Sequence, residues 1–271
     1  MICGSLQLVE PVMRCVELAA GTAAQCWRID TPERSLLYKQ WQQPDSQTDV
    51  ERMLILQQLA ANAGLAPQAL QFDHRTRASL SNFVVGQTWS TPELLSAAGQ
   101  INLLGLIARL QAIPLPQTVC GDPKLRFDIA NSLERRLAAL AGSIAATEVR
   151  PWSLRLQHAR HDLLTAEAPC RPVLLHLDIH AANVVLTPTG MVLLDWEYAA
   201  IGDPVWEFAS ILTSYPTLAD EAVRLFAAAI DGRGGAVKRL LAARNVFQLL
   251  VDLWGRERSA GSGVPTPSSG G

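Results

Sequence analysis

The most constraining feature of the sequence is a polar cluster that is followed at once by two short apolar runs. The cluster ends at Asn183, and the runs 184–186 and 191–194 are separated by Thr187-Pro188-Thr189-Gly190. Proline and glycine supply the backbone angles of a tight reversal, so this pattern predicts a β-hairpin. Because a hairpin brings its two ends together, we expect Asn183 and Asp195 to be neighbours.

The polar residues of this segment have the types and the spacing that phosphoryl transfer requires. That reaction needs a carboxylate to orient the attacking hydroxyl, and oxygen ligands for the magnesium ions that neutralise the γ-phosphate. Asp178 can supply the first, and Asn183 with Asp195 the second. The spacing His176-x-Asp178-x-x-x-x-Asn183, followed across the hairpin by Asp195, matches the catalytic loop and the metal-binding Asp of kinases. We therefore predict that Asp178 is catalytic and that His176 orients the loop.

Two other interpretations of this segment stay open. His176, Asp178 and His180 alternate, and on an extended chain alternating side chains point the same way, so they could ligate zinc in a metal-dependent hydrolase. The third interpretation is a nucleotide-binding module without catalytic activity, which the presence of a complete set of catalytic side chains disfavours. Metal content distinguishes the kinase from the hydrolase, since a hydrolase would hold stoichiometric zinc.

Composition narrows the class of partner. The 271 residues are 18% charged and carry a net charge of −2, whereas a nucleic-acid surface needs clustered Lys and Arg. No apolar stretch approaches the roughly 20 residues of a membrane span. The five cysteines are scattered, which predicts neither disulfides nor structural zinc. We expect a cytoplasmic protein, monomeric or homodimeric, that binds a small molecule and neither nucleic acid nor membrane.

The N-terminal part predicts a small antiparallel sheet that binds a nucleotide. Short strand patterns follow one another from Arg14 to Trp41, and the small-residue turn at residues 19–24, with Gly21, could lie over phosphates. Lys39 is one of only three lysines and sits inside an apolar strand, where a lysine is costly unless it is paired. It stands where a kinase places its phosphate-binding lysine.

Two further features of this part bear on the nucleotide. A capping-box pattern at Thr48-Asp49-Val50-Glu51 opens a helix, and Glu51 could either pair with Lys39, as a kinase helix glutamate does, or simply cap its own helix. Two more strands are expected around 69–72 and 80–85. There the backbone of Val84 and Val85 could bind an adenine edge.

The remainder of the chain has mainly helical spacing. Thr91 is expected as an N-cap before Pro92, and Asp203 as the cap of a later helix that begins near Val205. The last residues are Ser, Gly, Pro and Thr without apolar periodicity, which predicts disorder. We expect three regions: 1–88 as the nucleotide-binding part, 89–258 as a helical part with the acceptor site, and 259–271 as a disordered tail.

With these residues placed, the chain resembles the aminoglycoside phosphotransferase and choline kinase family over residues 14 to 258, most densely from Leu175 to Ala209. The resemblance implies an α+β fold with the two lobes of a protein kinase, and ATP with Mg²⁺ as cofactors. It assigns Asp178 as catalytic base and Asn183 and Asp195 as magnesium ligands. Lys39 becomes the phosphate-binding lysine.

Within that family, residues 175–183 and 194–199 are most similar to bacterial thiamine kinases, and the stretch 175–199 is called the catalytic segment below. This resemblance implies thiamine as acceptor, with choline, aminoglycosides and sugars as alternatives. Acidic residues near the segment could favour a cationic acceptor, and tryptophans could stack on its ring. The acidic residues are Glu197, Asp203 and Glu207, and the tryptophans are Trp89, Trp196 and Trp206. Of these residues, Glu197 and Trp196 are the first candidates because they follow Asp195. The chain departs from the family in its glycine-poor phosphate turn, in Gln111 where many relatives have histidine, and in Glu207 where aspartate is common.

Overall fold

A computed structural model of the chain describes residues 8, 10–18, 24–41, 47–166, 168–218, 220–230 and 235–262. The chain divides into two compact units, the first formed by residues 1–125 with 178–200 and the second by residues 126–177 with 201–271. The first unit therefore contains both the N-terminal sheet and the predicted hairpin. This grouping differs from the expected boundary after residue 88, and the division into lobes stays a prediction.

The first unit is built on a five-stranded antiparallel sheet with the order β1-β2-β3-β5-β4. Its apolar face buries Ile29, Leu36, Tyr38, Ala78 and Leu80 in one cluster. The meander predicted between Arg14 and Trp41 is confirmed, with Lys39 inside the third strand. The strands are β1 (Arg14–Glu17), β2 (Ala24–Asp30), β3 (Ser35–Trp41), β4 (Ala69–Asp73) and β5 (Ala78–Asn82).

Helices and a second sheet complete the first unit. A three-stranded sheet, in the order β6-β8-β9, contains the predicted hairpin. A Cβ on Gly86 would lie 2.3 Å from the backbone oxygen of Leu186, so the chain can cross this sheet closely only because residue 86 is glycine. The elements are α1 (Gln47–Asn62), β6 (Gln87–Thr88), α2 (Thr91–Leu95), α3 (Ala97–Gln111), α4 (Gln117–Gly121), β8 (Val184–Thr187) and β9 (Gly190–Leu193).

The second unit is mainly helical. Its long last helix, α9, packs on α5, α6, α7 and α8, and the strands β7 and β10 pair beside them. Among the residues that the structure describes, no helix has the length and apolar content to cross a bilayer. The elements are α5 (Ile129–Ala141), α6 (Ala146–Ala166), β7 (Val173–Leu175), β10 (Ala200–Gly202), α7 (Val205–Ser214), α8 (Asp220–Ile230) and α9 (Ala236–Ser262).

The end of one helix and the cap of another differ from those expected. Helix α9 continues through residues 259–262, which were expected in the disordered tail, and residues 263–271 lie outside the described ones. Helix α2 is capped by Ser90 rather than Thr91, because Ser90 and Glu93 form a reciprocal capping box. It stops after five residues, where Ser96 caps α3 with its own side chain.

Candidate functional site

The predicted hairpin is present, and it brings its ends together as expected. Strands β8 and β9 pair antiparallel with Val184 opposite Leu193, and Gly190 takes the positive φ of 131° that the reversal requires. The backbone N–H of Leu194 donates to the carbonyl of Asn183 at 2.8 Å. Asn183 and the residue before Asp195 are therefore joined directly.

The backbone is strained at two points of the catalytic segment. Leu177 and Asp195 have φ values of 64° and 63°, in the left-handed region that residues with a Cβ rarely occupy. Such strain costs about 1–3 kcal/mol per residue and persists only where the surroundings impose it. Leu177 immediately precedes Asp178, so both strained positions set the direction of a predicted catalytic or metal-binding carboxylate.

Asp178 and Asn183 are in direct contact. The amide nitrogen of Asn183 donates to the backbone oxygen of Asp178 at 3.0 Å and to its Oδ2 at 3.1 Å. Burial and the nearby carboxylate of Asp195 raise the pKa of Asp178 to about 7, against the opposing effect of the Asn183 hydrogen bond. A carboxylate with a pKa near neutrality is suited to accept a proton from a hydroxyl.

His180 lies beside this pair, with its Nε2 3.7 Å from Oδ2 of Asp178. Burial lowers the pKa of His180, although the carboxylate of Asp195 opposes this effect. The neutral imidazole is therefore favoured.

Lys39 is held by two carboxylates of the catalytic segment. Its Nζ lies 2.7 Å from Oδ1 of Asp195 and 2.5 Å from Oε1 of Glu197. Burial alone would lower the pKa of Lys39, but the two carboxylates outweigh burial and raise it, so the ammonium stays charged. The lysine in the strand is therefore paired, as its buried position requires.

Glu51 is not the partner of Lys39 in this structure. Its carboxylate lies 3.3 Å from Nδ1 of His74, and its side chain is 49% exposed. The capping-box pattern predicted a helix here, and α1 is present, but it already includes Gln47, so Thr48 lies inside the helix rather than at its N-cap. The pattern could not identify which carboxylate reaches β3. Glu197 has that role, and the contact could not be predicted from sequence because 158 residues separate it from Lys39.

The aromatic acceptor contacts expected from the sequence are not supported. Trp196 is only 1% exposed, and its indole N–H donates to the carbonyl of Leu193 at 3.0 Å. Trp89 and Trp206 are also buried. Glu197, expected at the acceptor, instead accepts hydrogen bonds from Lys39 and from the indole of Trp41.

Glu207 has a structural role that sequence reasoning missed. This carboxylate is 0% exposed and accepts the backbone N–H groups of His176 at 2.6 Å and Leu177 at 2.9 Å. A buried carboxylate needs such partners, and here they are the residues that lead into the catalytic segment. Glu207 therefore fixes the backbone of fully buried His176 and of strained Leu177, rather than favouring a cationic ligand.

Asp203 supports the start of the same helix. Its Oδ1 accepts the backbone N–H of Val205 at 2.9 Å, and its other oxygen pairs with Arg239. The expected capping interaction is therefore present, one residue ahead of the assigned cap at Pro204. Arg239 also donates to the carbonyl of Ala166 at 2.8 Å, which ties α7 to α6 and α9.

The remaining predicted nucleotide contacts are only partly described. Gly21 and its small-residue turn lie outside the described residues. Val84 and Val85 follow β5 in an irregular segment, and the side chain of Val85 is 67% exposed. The backbone N–H of Phe83, the residue before them, donates to the backbone carbonyl of Ser35 at 3.0 Å.

The donor atoms of the site suit a hard cation better than zinc. Asn183 uses its nitrogen for Asp178, so its oxygen is the end that can ligate, and Asp195 is 43% exposed. Magnesium is usually held by one or two carboxylates together with substrate phosphates. Within the described ranges, no group of three His, Cys, Asp or Glu side chains is placed to hold a metal. The left-handed backbone at Leu177 also interrupts the extended chain on which His176, Asp178 and His180 would have to point the same way to bind zinc.

The sequence matches the model of a family described as the phosphotransferase enzyme family over residues 14–241. A thiamine kinase of Salmonella paratyphi B is 49% identical over 43 residues, which are 16% of this chain and 16% of that protein's length. The sequence match to this relative is therefore confined to a short segment.

Three solved structures share the fold over nearly the whole chain. A choline kinase from Streptococcus pneumoniae has a TM-score of 0.71 at 14% identity, covering 95% of this chain and 89% of that one. A choline/ethanolamine kinase family protein from Mesorhizobium loti gives 0.69 at 19% identity, covering 96% and 83%. An aminoglycoside phosphotransferase mutant, in a ternary complex with ADP and hygromycin B, gives 0.62 at 16% identity, covering 94% and 96%. The α+β, protein-kinase-like fold expected from the sequence is confirmed.

Proposed function

Because the chain belongs to the phosphotransferase enzyme family, we propose that it transfers the γ-phosphate of ATP to the hydroxyl of a small cationic molecule, with thiamine as first acceptor. The observation that carries this proposal is the contact of Lys39 with Asp195, at the end of a hairpin whose other end places Asn183 against Asp178. A phosphate-binding lysine, a base and two oxygen ligands are the parts that phosphoryl transfer uses.

Lys39 binds the α- and β-phosphates in this proposal, as the strand lysine of kinases does. Its paired ammonium is already oriented toward Asp195, and a side chain held in place loses little freedom when the nucleotide binds. The backbone of Val84 and Val85 would bind the adenine edge.

Asn183 and Asp195 would hold Mg²⁺ through their oxygen atoms, and the ion would neutralise charge on the transferred phosphate. Asp195 is suited to this because its carboxylate is the more exposed of the two that contact Lys39. A cation held there would offset part of the repulsion between the carboxylates of Asp195 and Asp178, and this would lower the pKa of Asp178, which burial and Asp195 raise to about 7.

Asp178 would accept the hydroxyl proton and orient the oxygen toward the phosphate. Asn183 holds the Asp178 carboxylate by its amide nitrogen, which fixes the oxygen that faces the acceptor. Such positioned proton transfer is worth about 10²–10⁴-fold in rate.

Thiamine is proposed as the acceptor because of the segment that is 49% identical to a thiamine kinase. Thiamine and choline share a permanent positive charge and a hydroxyethyl group, so the choline kinase neighbours favour the same acceptor chemistry. The buried Trp196 gives this choice no support.

The test is a competition among acceptors in an ADP-release assay with Mg²⁺ and ATP. Thiamine is expected to give a much higher kcat/KM than choline or kanamycin, and each of these a higher value than a neutral sugar. A neutral sugar that outperforms all three would contradict the cationic acceptor. ADP release that no acceptor stimulates would contradict the phosphotransferase proposal itself.

A further inference from the structure

We propose that Glu197, seated by the indole of Trp41, is the residue that positions Lys39 for the nucleotide phosphates, in the place where kinases use a helix glutamate. This inference rests on the proposed function, since it gives Lys39 a nucleotide to bind. It makes Glu197 a positioning residue, because it acts through Lys39 rather than on the reacting atoms.

The first support is the geometry around the ammonium group. Lys39 Nζ lies 2.5 Å from Oε1 of Glu197, and the same oxygen accepts from Nε1 of Trp41 at 3.1 Å. The ammonium also lies 5.3 Å from the centroid of the Trp41 ring. One carboxylate oxygen is thus shared by two donors from β3, which fixes it against that strand.

The second support is the spacing along β3. Lys39 and Trp41 are two residues apart in a regular strand, so their side chains leave the same face of the sheet. A single carboxylate lying over that face can therefore reach both groups. Neither contact requires strained backbone in the strand, since its described residues have no positive φ.

The third support is the difference between the two carboxylates on Lys39. The side chain of Asp195 is 43% exposed and is proposed to ligate Mg²⁺, whereas that of Glu197 is 20% exposed and has a second donor in Trp41. A lysine that is 15% exposed needs a counter-charge at all times. When Asp195 turns to the cation, Glu197 remains to hold Lys39.

The fourth support is the position of Glu51. It lies on α1, where a kinase would carry the glutamate that pairs with the strand lysine, but it contacts His74 and is half exposed. Of these two glutamates, it is Glu197 that contacts Lys39, whereas Glu51 contacts His74. Glu51 is therefore a matched control for the loss of one glutamate charge in the same unit.

The experiment measures binding of Mg²⁺ with a non-hydrolysable ATP analogue by calorimetry, because this readout needs no acceptor. Glu197→Gln keeps an oxygen for Trp41 but removes the charge, and it should weaken binding by roughly ten- to a hundredfold. Trp41→Phe keeps an aromatic ring but removes the N–H donor, and it should weaken binding by a few-fold. Glu51→Gln should bind within twofold of wild type.

A double-mutant cycle separates positioning from general damage. In a Lys39→Met background, Glu197→Gln should cause no further loss of binding, because the residue that it positions is gone. Equal losses with and without Lys39, or wild-type binding by Glu197→Gln, would overturn the inference while leaving the proposed function in place. A wild-type chain that binds no Mg²⁺-nucleotide would overturn both. Thermal unfolding of each variant identifies any that fails to fold, in which case Trp41→Phe carries the test.

Discussion

Two parts of the chain, the catalytic segment and strand β3, carry the candidate site, and they do so in different ways. In the catalytic segment, Asp178 and Asn183 are five residues apart, and the backbone between Leu177 and Asp195 is strained at both ends. In β3 the backbone is regular, but the partners of Lys39 lie 156 and 158 residues away. Local spacing thus determines the first cluster, and tertiary packing determines the second.

The largest expected effect falls on the catalytic segment. Asp178→Asn should lower turnover by about 10²–10⁴-fold, because the amide cannot accept the hydroxyl proton. Binding of Mg²⁺-ATP should stay close to wild type. Steady-state kinetics and calorimetry on the same preparation measure the two quantities, and turnover within a few-fold of wild type would remove Asp178 from the proposed reaction.

A second change tests how the catalytic segment is supported. Glu207→Gln places an NH₂ group against one of two buried backbone N–H groups, and it should lower the free energy of unfolding by about 2–4 kcal/mol. Urea denaturation measures the loss. Ser210→Ala, on the same helix, removes one hydroxyl that donates to the Glu207 carbonyl and serves as the control. Equal losses in the two variants would show that Glu207 is an ordinary residue of its helix.

The contrast between the two parts also explains what the sequence could predict. The hairpin, the contact of its ends and the position of Lys39 in a strand follow from turn residues and strand patterns, which are local. The pairing of Lys39 with Glu197 does not, because no short-range pattern distinguishes Glu197 from Glu51 as its partner. The burial of Trp196 could not be predicted for the same reason. Its position next to Asp195 in sequence suggested contact with a ligand, but tertiary packing buries its side chain.

The role of Glu207 was missed for a related reason. An acidic residue in an apolar helix is costly unless it is hydrogen-bonded, so its position in α7 was a signal of a buried partner. The partner, however, is the backbone about 30 residues earlier, and backbone groups have no sequence signature. The strained φ of Leu177 is equally invisible, since leucine is an unusual residue there.

A third prediction concerns the metal ligands at the two ends of the hairpin. Asp195→Ala and Asn183→Ala should each weaken Mg²⁺-dependent nucleotide binding by roughly tenfold or more, since each removes an oxygen ligand. Raised Mg²⁺ should partly restore binding to Asn183→Ala, which keeps the carboxylate. Calorimetry at several Mg²⁺ concentrations measures this, and unchanged binding in both variants would break the link between the hairpin and the metal.

The smallest expected effect is that of Glu51→Gln. It removes an exposed contact with His74, and such pairs contribute about 0–1 kcal/mol. Both kcat and the free energy of unfolding should stay close to wild type. A large fall in kcat would indicate that Glu51 reaches Lys39 during turnover. It would contradict the assignment of Glu197, rather than Glu51, as the glutamate that positions Lys39.

The proposed transfer of phosphate from ATP to an acceptor hydroxyl is tested most directly by identifying the product that wild-type protein makes from ATP and thiamine in the presence of Mg²⁺. Phosphorus NMR follows the γ-phosphate from ATP to its final position. We expect one phosphate ester at the hydroxyethyl oxygen for each ADP formed, and no ester without Mg²⁺. Inorganic phosphate as the sole product, with every acceptor of the panel unmodified, would contradict it.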